Sequence, residues 1–382
     1  MTRLRINSGL LAALATGSVL AACGSSGTTS SGTPAGGAVG LPQALSKVPM
    51  PPTSPPTQLG VTVKLPRAPS KGMTIAWAEC ALPSCSTFTP AFQSAAKALG
   101  WNLKIYTYKS GAPAPAIQEA VSNNVNAIVI TGEPTALFKP QLAAANGKHI
   151  PVISADDITP PNPSEGLVAQ FGDASMFGNE GMQLAEWTLH NSGGKAHIAY
   201  VNIPDYPILN AGYTAVKSTV AKYCPTACSV DQIALTVDQL ASGKAPSTIV
   251  AYLQSHPDVN YLDFSFADLL AGVQPALKAA GFAGKVKVTG QALGNSPAVV
   301  AGLKDGSIAA WVAQPNYYQA WLQMDAAARL AVGAKLTQER SAALLPTWVV
   351  DNAGSASPLA KLGGWDGPAD YQTKFKALWG VS

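Results

Sequence analysis

The sequence predicts an α/β protein of two similar halves, each a doubly wound parallel sheet. Two observations carry this. From Lys71 to about Val350, short β-branched or aromatic runs alternate with segments whose apolar residues recur at helical spacing. A Pro-rich link, TPPNPSEG at residues 159–166, interrupts the alternation, which then resumes. At 382 residues the chain is long enough for two substantial cores.

In the first half, Thr74–Ala78 (TIAWA) reads as a strand. Phe88, Phe92, Ala95, Ala96 and Leu99 then mark a helix, and Gly100 supplies its stop. Leu103–Tyr108 and Ala127–Thr131 (AIVIT) are the next strands, separated by a helix at Ala114–Asn123. A helix at Leu137–Asn146, stopped by Gly147, leads into the strand Ile150–Ser154. This strand ends in two adjacent acids, Asp156 and Asp157. Ligands in open α/β sheets bind outside the carboxyl ends of strands, so the pair is a candidate ligand-facing edge. Turn or helix capping is the competing role.

In the second half, helices are expected at Met176–His190, Asn210–Tyr223, Ser247–Ser255, Leu269–Ala280, Pro297–Lys304 and Tyr317–Val332. They alternate with strands at His197–Asn202, Asp231–Leu235, Tyr261–Phe264, Val286–Thr289, Ile308–Val312 and Thr347–Val350. The tail, Asp351–Ser382, holds Trp365, Tyr371, Phe375 and Trp379, enough aromatic surface to pack on the body.

Ahead of the body stands a leader. Arg3 and Arg5 form a charged start, Gly9–Leu20 is an apolar stretch too short to span a bilayer permanently, and Leu20-Ala21-Ala22-Cys23 follows. This resembles the lipobox of bacterial lipoproteins, which implies a signal peptide at 1–22, a lipidated Cys23 and export to the outer face of the cell membrane. An ordinary secretory signal with an incidental cysteine is the alternative. Residues 23–70, rich in Gly, Ser, Thr and Pro, read as a flexible tether and stiffer spacer, with a short ordered piece at Gly60–Leu65. The formal charge is +4, of which Arg3 and Arg5 supply two, and no Lys/Arg cluster occurs, which excludes a nucleic-acid partner. Four cysteines remain beside Cys23. Their close spacing in an exported chain predicts the disulfides Cys80–Cys85 and Cys224–Cys228. Neither pair has a nearby His or CxxC spacing, so no metal is expected.

Five blocks resemble the type I periplasmic binding proteins of ABC importers, in the ribose/galactose-binding branch: SAAKALGW, VNAIVITGEP, HIPVISADD, LQSHPDVNYLDFSFADLLAGVQPALKAAG and LKDGSIAAWVAQ. The resemblance covers roughly Lys71–Val350. It implies a two-lobed clamshell with a three-strand hinge crossing at Ala155–Asp157, at Ala313–Pro315 and near Leu345–Trp348. The first lobe would be 71–155 plus 315–345, and the second 156–314 plus 346–382. Ligand would bind between the lobes and favour the closed state.

The resemblance also implies site residues. The family's hinge aspartate falls on Asp156 and its hinge glutamine on Gln314. Asp157 stands where the family has an arginine, which reverses the local charge. The ligand-binding arginine of the second lobe is missing, with Tyr206 or Asn210 as substitutes. Phe266 takes the place of an asparagine, and Asp268 follows; capping the Leu269 helix is its competing role. Gln291 replaces an aspartate. In the first loop, Trp77, Glu79 and Phe88 are the nearest candidates for a wall and a polar group, although Trp77 and Phe88 also suit the core. The cleft is expected to be less polar than a ribose site, with a hexose, a modified sugar or another small organic molecule as ligand.

No HExxH, GxSxG, Walker loop or GxGxxG occurs, and none of the four histidines has a triad-like context. Glu133, Asp156 and Asp157 are acids that acid–base chemistry could use, but carboxylates at hinge strands suit binding better. The expectation is a monomeric binding protein without cofactor that delivers its ligand to a permease and ATPase complex. A tethered sensor that presents the ligand to a signalling partner is the alternative.

Overall fold

The computed structural model describes residues 45–336, 345–352 and 365–382. The expected leader, Cys23 and the first part of the tether lie outside the described residues. One sheet has the order β2-β1-β3-β4-β5, all parallel. Its strands are β1 (Thr74–Cys80), β2 (Asn102–Tyr108), β3 (Ala127–Thr131), β4 (Val152–Ala155) and β5 (Leu167–Phe171). Helices α1 (Pro83–Leu99), α2 (Ala114–Ser122) and α3 (Lys139–Gly147) connect them. β3 and β4 are buried along their whole length, which explains why AIVIT and VISA do not alternate with polar residues.

The other sheet has the order β11-β10-β9-β8-β6-β7. It contains β6 (His197–Asn202), β7 (Ser229–Ala234), β8 (Tyr261–Phe264), β9 (Lys287–Gln291), β10 (Ala310–Ala313) and β11 (Trp348–Asp351). Between these strands run α4 (Ala174–Ser192), α5 (Pro207–Tyr223), α6 (Val237–Ala241), α7 (Ala245–Ser255), α8 (Val273–Ala279) and α9 (Pro297–Asp305), α4 leading into β6. The order β7-β6-β8-β9-β10 repeats that of the first sheet, so both halves share one doubly wound plan. α4 and α5 pack closely because Gly181 meets Gly212, where a Cβ would lie 2.4 Å from the Gly212 carbonyl oxygen. α10 (Asn316–Ala331) follows β10 but packs back on α1, β4 and β5, so the chain changes lobe at 314–315.

Three expectations are corrected. β5 was not anticipated; its five residues, LVAQF, follow the Pro-rich link and extend the first sheet. The first change of lobe therefore falls at Gly172–Asp173 rather than at Ala155–Asp157, and the second lobe starts there rather than at 156. β11 runs antiparallel to β10, so the second sheet is not wholly parallel. The tail helix Tyr371–Trp379 packs on α10 and α1, in the first lobe rather than the second. Its aromatic side chains decide this: Trp379 stacks on Trp321 with centroids 5.1 Å apart, and its Nε1 donates to the buried Asp325 at 2.6 Å.

The supposed tether also proves to be part of the body from Leu45 onward. Leu45 and Val48 sit in the core formed by α4, α5 and β6 of the second lobe, and Val349 in β11 donates its amide to the Pro52 carbonyl. Farther on, the Gly60 amide donates to the Tyr318 hydroxyl, Arg329 to the Val63 carbonyl and the Leu65 amide to the Leu378 carbonyl, all in the first lobe. Residues 45–65 are thus a strap running across both lobes. Composition hid it because a few spaced hydrophobics, rather than a continuous pattern, anchor it. A chain starting at Lys71 is expected to lose several kcal/mol relative to one starting at Leu45, because each buried Leu or Val contributes about 1.5–3 kcal/mol. Denaturant titration of the two chains checks this; equal midpoints would show that the strap is passive.

Candidate functional site

The carboxyl ends of both sheets face each other across a cavity of about 80 Å³. From the first lobe come Leu82, Ser84, Cys85 and Phe88 after β1, Thr131, Gly132 and Glu133 at β3, and Asp156 after β4. From the second come Phe177 on α4, Tyr206, Ile208 and Leu209 around the start of α5, Phe266 after β8, Ala292 and Leu293 after β9, and Gln314 after β10. Among the described residues, no Lys, Arg or His lines it.

Local covalent and backbone devices hold these groups. The Cys80–Cys85 disulfide ties the end of β1 to the first turn of α1 and so presents Leu82 and Ser84. The Cys224–Cys228 disulfide forms as well, away from the cavity, between α5 and β7. Asp156, Ala292 and Leu293 have positive φ (54°, 57° and 53°). Such strain in non-glycine residues collects at functional sites.

Asp156 is the hub. Thr131 Oγ1 donates to Oδ2 at 2.8 Å, while Gln319 Nε2 and Gln314 Nε2 donate to Oδ1 at 2.8 and 3.1 Å. Gly172 is required beside it, since a Cβ there would lie 2.5 Å from Oδ1. Burial pushes the Asp156 carboxyl up to about 6, and the hydrogen bonds only partly offset this. Glu133 accepts from the Gly111 amide at 2.9 Å, and burial pushes its carboxyl up to about 7. The Tyr108 hydroxyl lies beside it and, as a hydrogen-bond donor, offsets part of that rise.

The lobes also touch directly. α1 has no side-chain cap of its own. Asp268 of the second lobe accepts from the Ser84 amide at 3.2 Å and from the Ser84 hydroxyl, so its carboxylate serves the amino end of a helix in the other lobe. Lys109 and Asp238 pair at 3.6 Å nearer the surface, where both side chains are exposed and the pair contributes little.

Residues 84–335 match the model of a family described as periplasmic binding protein domain. The chain belongs to this family. No curated protein matches the chain. Among solved structures, the periplasmic-binding-protein fold is shared with the 5-methylthioribose transporter solute-binding protein of Thermotoga lettingae, 19% identical, over 82% of this chain and 99% of that one, with a TM-score of 0.67. An ABC transporter periplasmic solute-binding protein of Actinobacillus succinogenes with bound D-allose is 17% identical over 75% and 100% of the chains, with a TM-score of 0.64. One from Mycobacterium smegmatis with bound glycerol is 19% identical over 76% and 97%, also with a TM-score of 0.64.

Of the residues read from sequence, Asp156, Gln314, Phe88, Tyr206 and Phe266 line the cavity of this periplasmic binding protein. The others do not. Asp157 is buried beneath it, accepting from the Thr135 hydroxyl and the Ile158 amide, so the reversed charge is a turn staple. Trp77 is core, 4.6 Å from the Phe92 ring, with Nε1 donating to Thr89. Glu79 is half-buried beside Thr89, and burial raises its carboxyl. Asn210 bonds Asn202, and Gln291 bonds Tyr200 and Glu180 inside the second lobe. Asp268 does not cap the helix that follows it; it caps α1 from across the cleft. Sequence reading treated Glu133 only as a possible acid–base group. Its position two residues past a buried strand was the available signal.

Replacing Asp156 by Ala removes the acceptor of three buried donors. Each buried donor left unsatisfied costs about 1–3 kcal/mol, so the variant is expected to lose at least about 2 kcal/mol in urea unfolding; an unchanged midpoint would show that the hub is not structural. A second expectation concerns pH. Asp263, like Glu133, is pushed up to about 7 by burial. With Asp156 near 6, these groups hold protons in the native state that the unfolded chain, with ordinary values of 3.8 and 4.5, has released. Their stabilising contribution is full below about pH 4 and is lost as pH rises through 6 to 7. The ligand-free melting temperature should therefore rise on going from pH 8 to pH 5 at constant ionic strength. A fall would contradict the burial of these carboxyls.

Proposed function

We propose that this protein is the extracytoplasmic substrate-binding component of an ABC importer, lipid-anchored through Cys23. It captures a small organic molecule between its lobes and delivers it, as a monomer, to a membrane permease. One observation carries the reading: a cavity enclosed by the carboxyl ends of two sheets of the same order, with polar groups of both lobes converging on it. Relatives of the same fold were solved with D-allose, 5-methylthioribose and glycerol, which supports a small solute in this cleft. The hinge hub and the Ser84–Asp268 contact suit an equilibrium between open and closed lobes that a ligand shifts toward closed. Among the described residues no helix is long and apolar enough to cross a membrane, so membrane attachment in this reading rests on the leader.

A thermal-shift screen of the full body, Leu45–Ser382, against sugars, polyols, amines and carboxylic acids tests this. A true ligand at about 100 times its Kd should add about 2.7 kcal/mol of stability. No shift from any class would remove the binding reading.

A further inference from the structure

We propose that the solute is a small organic cation, an ammonium group on a compact apolar body; this rests on the solute-binding reading and narrows it. The first observation is the unmatched charge of the cavity. Two carboxyls, Asp156 and Glu133, line it and, among the described residues, no basic side chain does. An anionic solute would meet them between largely apolar walls with nothing to offset its own charge.

The second is the direction of the free hydrogen-bonding capacity. Glu133 and Gln314 are only 2% and 1% exposed; Glu133 has the Tyr108 hydroxyl beside it, and Gln314 Oε1 has no hydrogen-bond partner among the described residues. The orientation of the Gln314 amide is set by its surroundings. Its Nε2 faces two acceptors, Asp156 Oδ1 and Gln319 Oε1, so the oxygen is the end left over. The other polar side chains are committed: the Thr131 hydroxyl donates to Asp156 and the Ser84 hydroxyl to Asp268. Among the described residues, only the Tyr206 hydroxyl remains as a side-chain donor on the cavity wall.

A sugar brings two acceptor lone pairs with every hydroxyl and would bury most of them against carbon here. An ammonium brings three donors and no acceptor, which suits the unpaired Gln314 Oε1 and supplies the counter-charge that the Glu133 carboxylate has from no basic side chain of the wall. Phe88, Phe177 and Phe266 surround the rest with aromatic surface, which accepts an alkyl body and favours a nearby cation. The carboxyl that would receive the ammonium titrates near neutrality, so binding should depend on pH.

The test compares isosteric probes by calorimetry at pH 8: isobutylamine and cyclohexylamine, the corresponding alcohols and carboxylates, D-ribose and glycerol. The amines should bind at least tenfold more tightly than the alcohols, and the carboxylates not at all. Amine affinity should fall about tenfold from pH 8 to pH 6, following the ionised fraction of a group titrating near 7. Glu133→Gln should abolish amine binding while keeping the wild-type far-UV spectrum. If that variant does not fold, the wild-type pH profile decides, and a flat one overturns the proposal. Binding of D-ribose, glycerol or the alcohols as tightly as the amines also overturns it, yet leaves the solute-binding reading standing. Silence from every probe, joined to a silent broad screen, removes both.

Discussion

The carboxylate of Asp156 is the constraint on which the two-lobed arrangement depends. It stands at the end of β4, in the left-handed backbone region, and gathers donors from β3, α10 and the β10–α10 crossing. Through Gln314 and Gln319 it fixes the crossing that brings the chain back from the second lobe. Gly172 clears the space beside it at the other crossing. Such a buried, hydrogen-bonded carboxyl is costly to unpair and so specifies one arrangement of the hinge.

Around that hub the cleft combines two features that oppose each other energetically. Its walls are apolar, which raises the cost of charge, yet the carboxyls of Glu133 and Asp156 line it. Contacts such as Asp268 on the amino end of α1 join the lobes directly. A donor-rich ligand with an apolar body would relieve the first conflict and add to the second set of contacts. Binding of this kind requires no reacting group, only a cavity whose polar valence is completed by the solute.

The chain ends contribute to the same balance. The strap at residues 45–65 lies on both lobes, and the tail helix closes over α10 and α1 with Trp379 stacked on Trp321. Relative motion of the lobes must therefore bend or slide the strap between Pro52 and Gly60, where it passes from one to the other.

Local pattern decided much of this molecule. Strands such as AIVIT and HIAYVN, the helix stop at Gly100 and both cysteine pairs follow from the residues themselves, because periodicity, αL caps and short-range covalent reach are local physics. The two repeated halves were legible for the same reason; Asp156 and Gln314 were singled out by the resemblance, which placed the first crossing at Ala155–Asp157 rather than at Gly172–Asp173. What only the tertiary structure decided involves partners distant in sequence. LVAQF became β5 because β4 offered it an edge; Asp157 turned inward to Thr135, and Asp268 reached Ser84 rather than its own helix. A Pro-rich stretch became a strap because grooves on two lobes received Leu45, Val48, Val61 and Leu65. Each of these outcomes depends on which surfaces the folded chain brings within hydrogen-bond or packing distance, and no one-dimensional pattern encodes that.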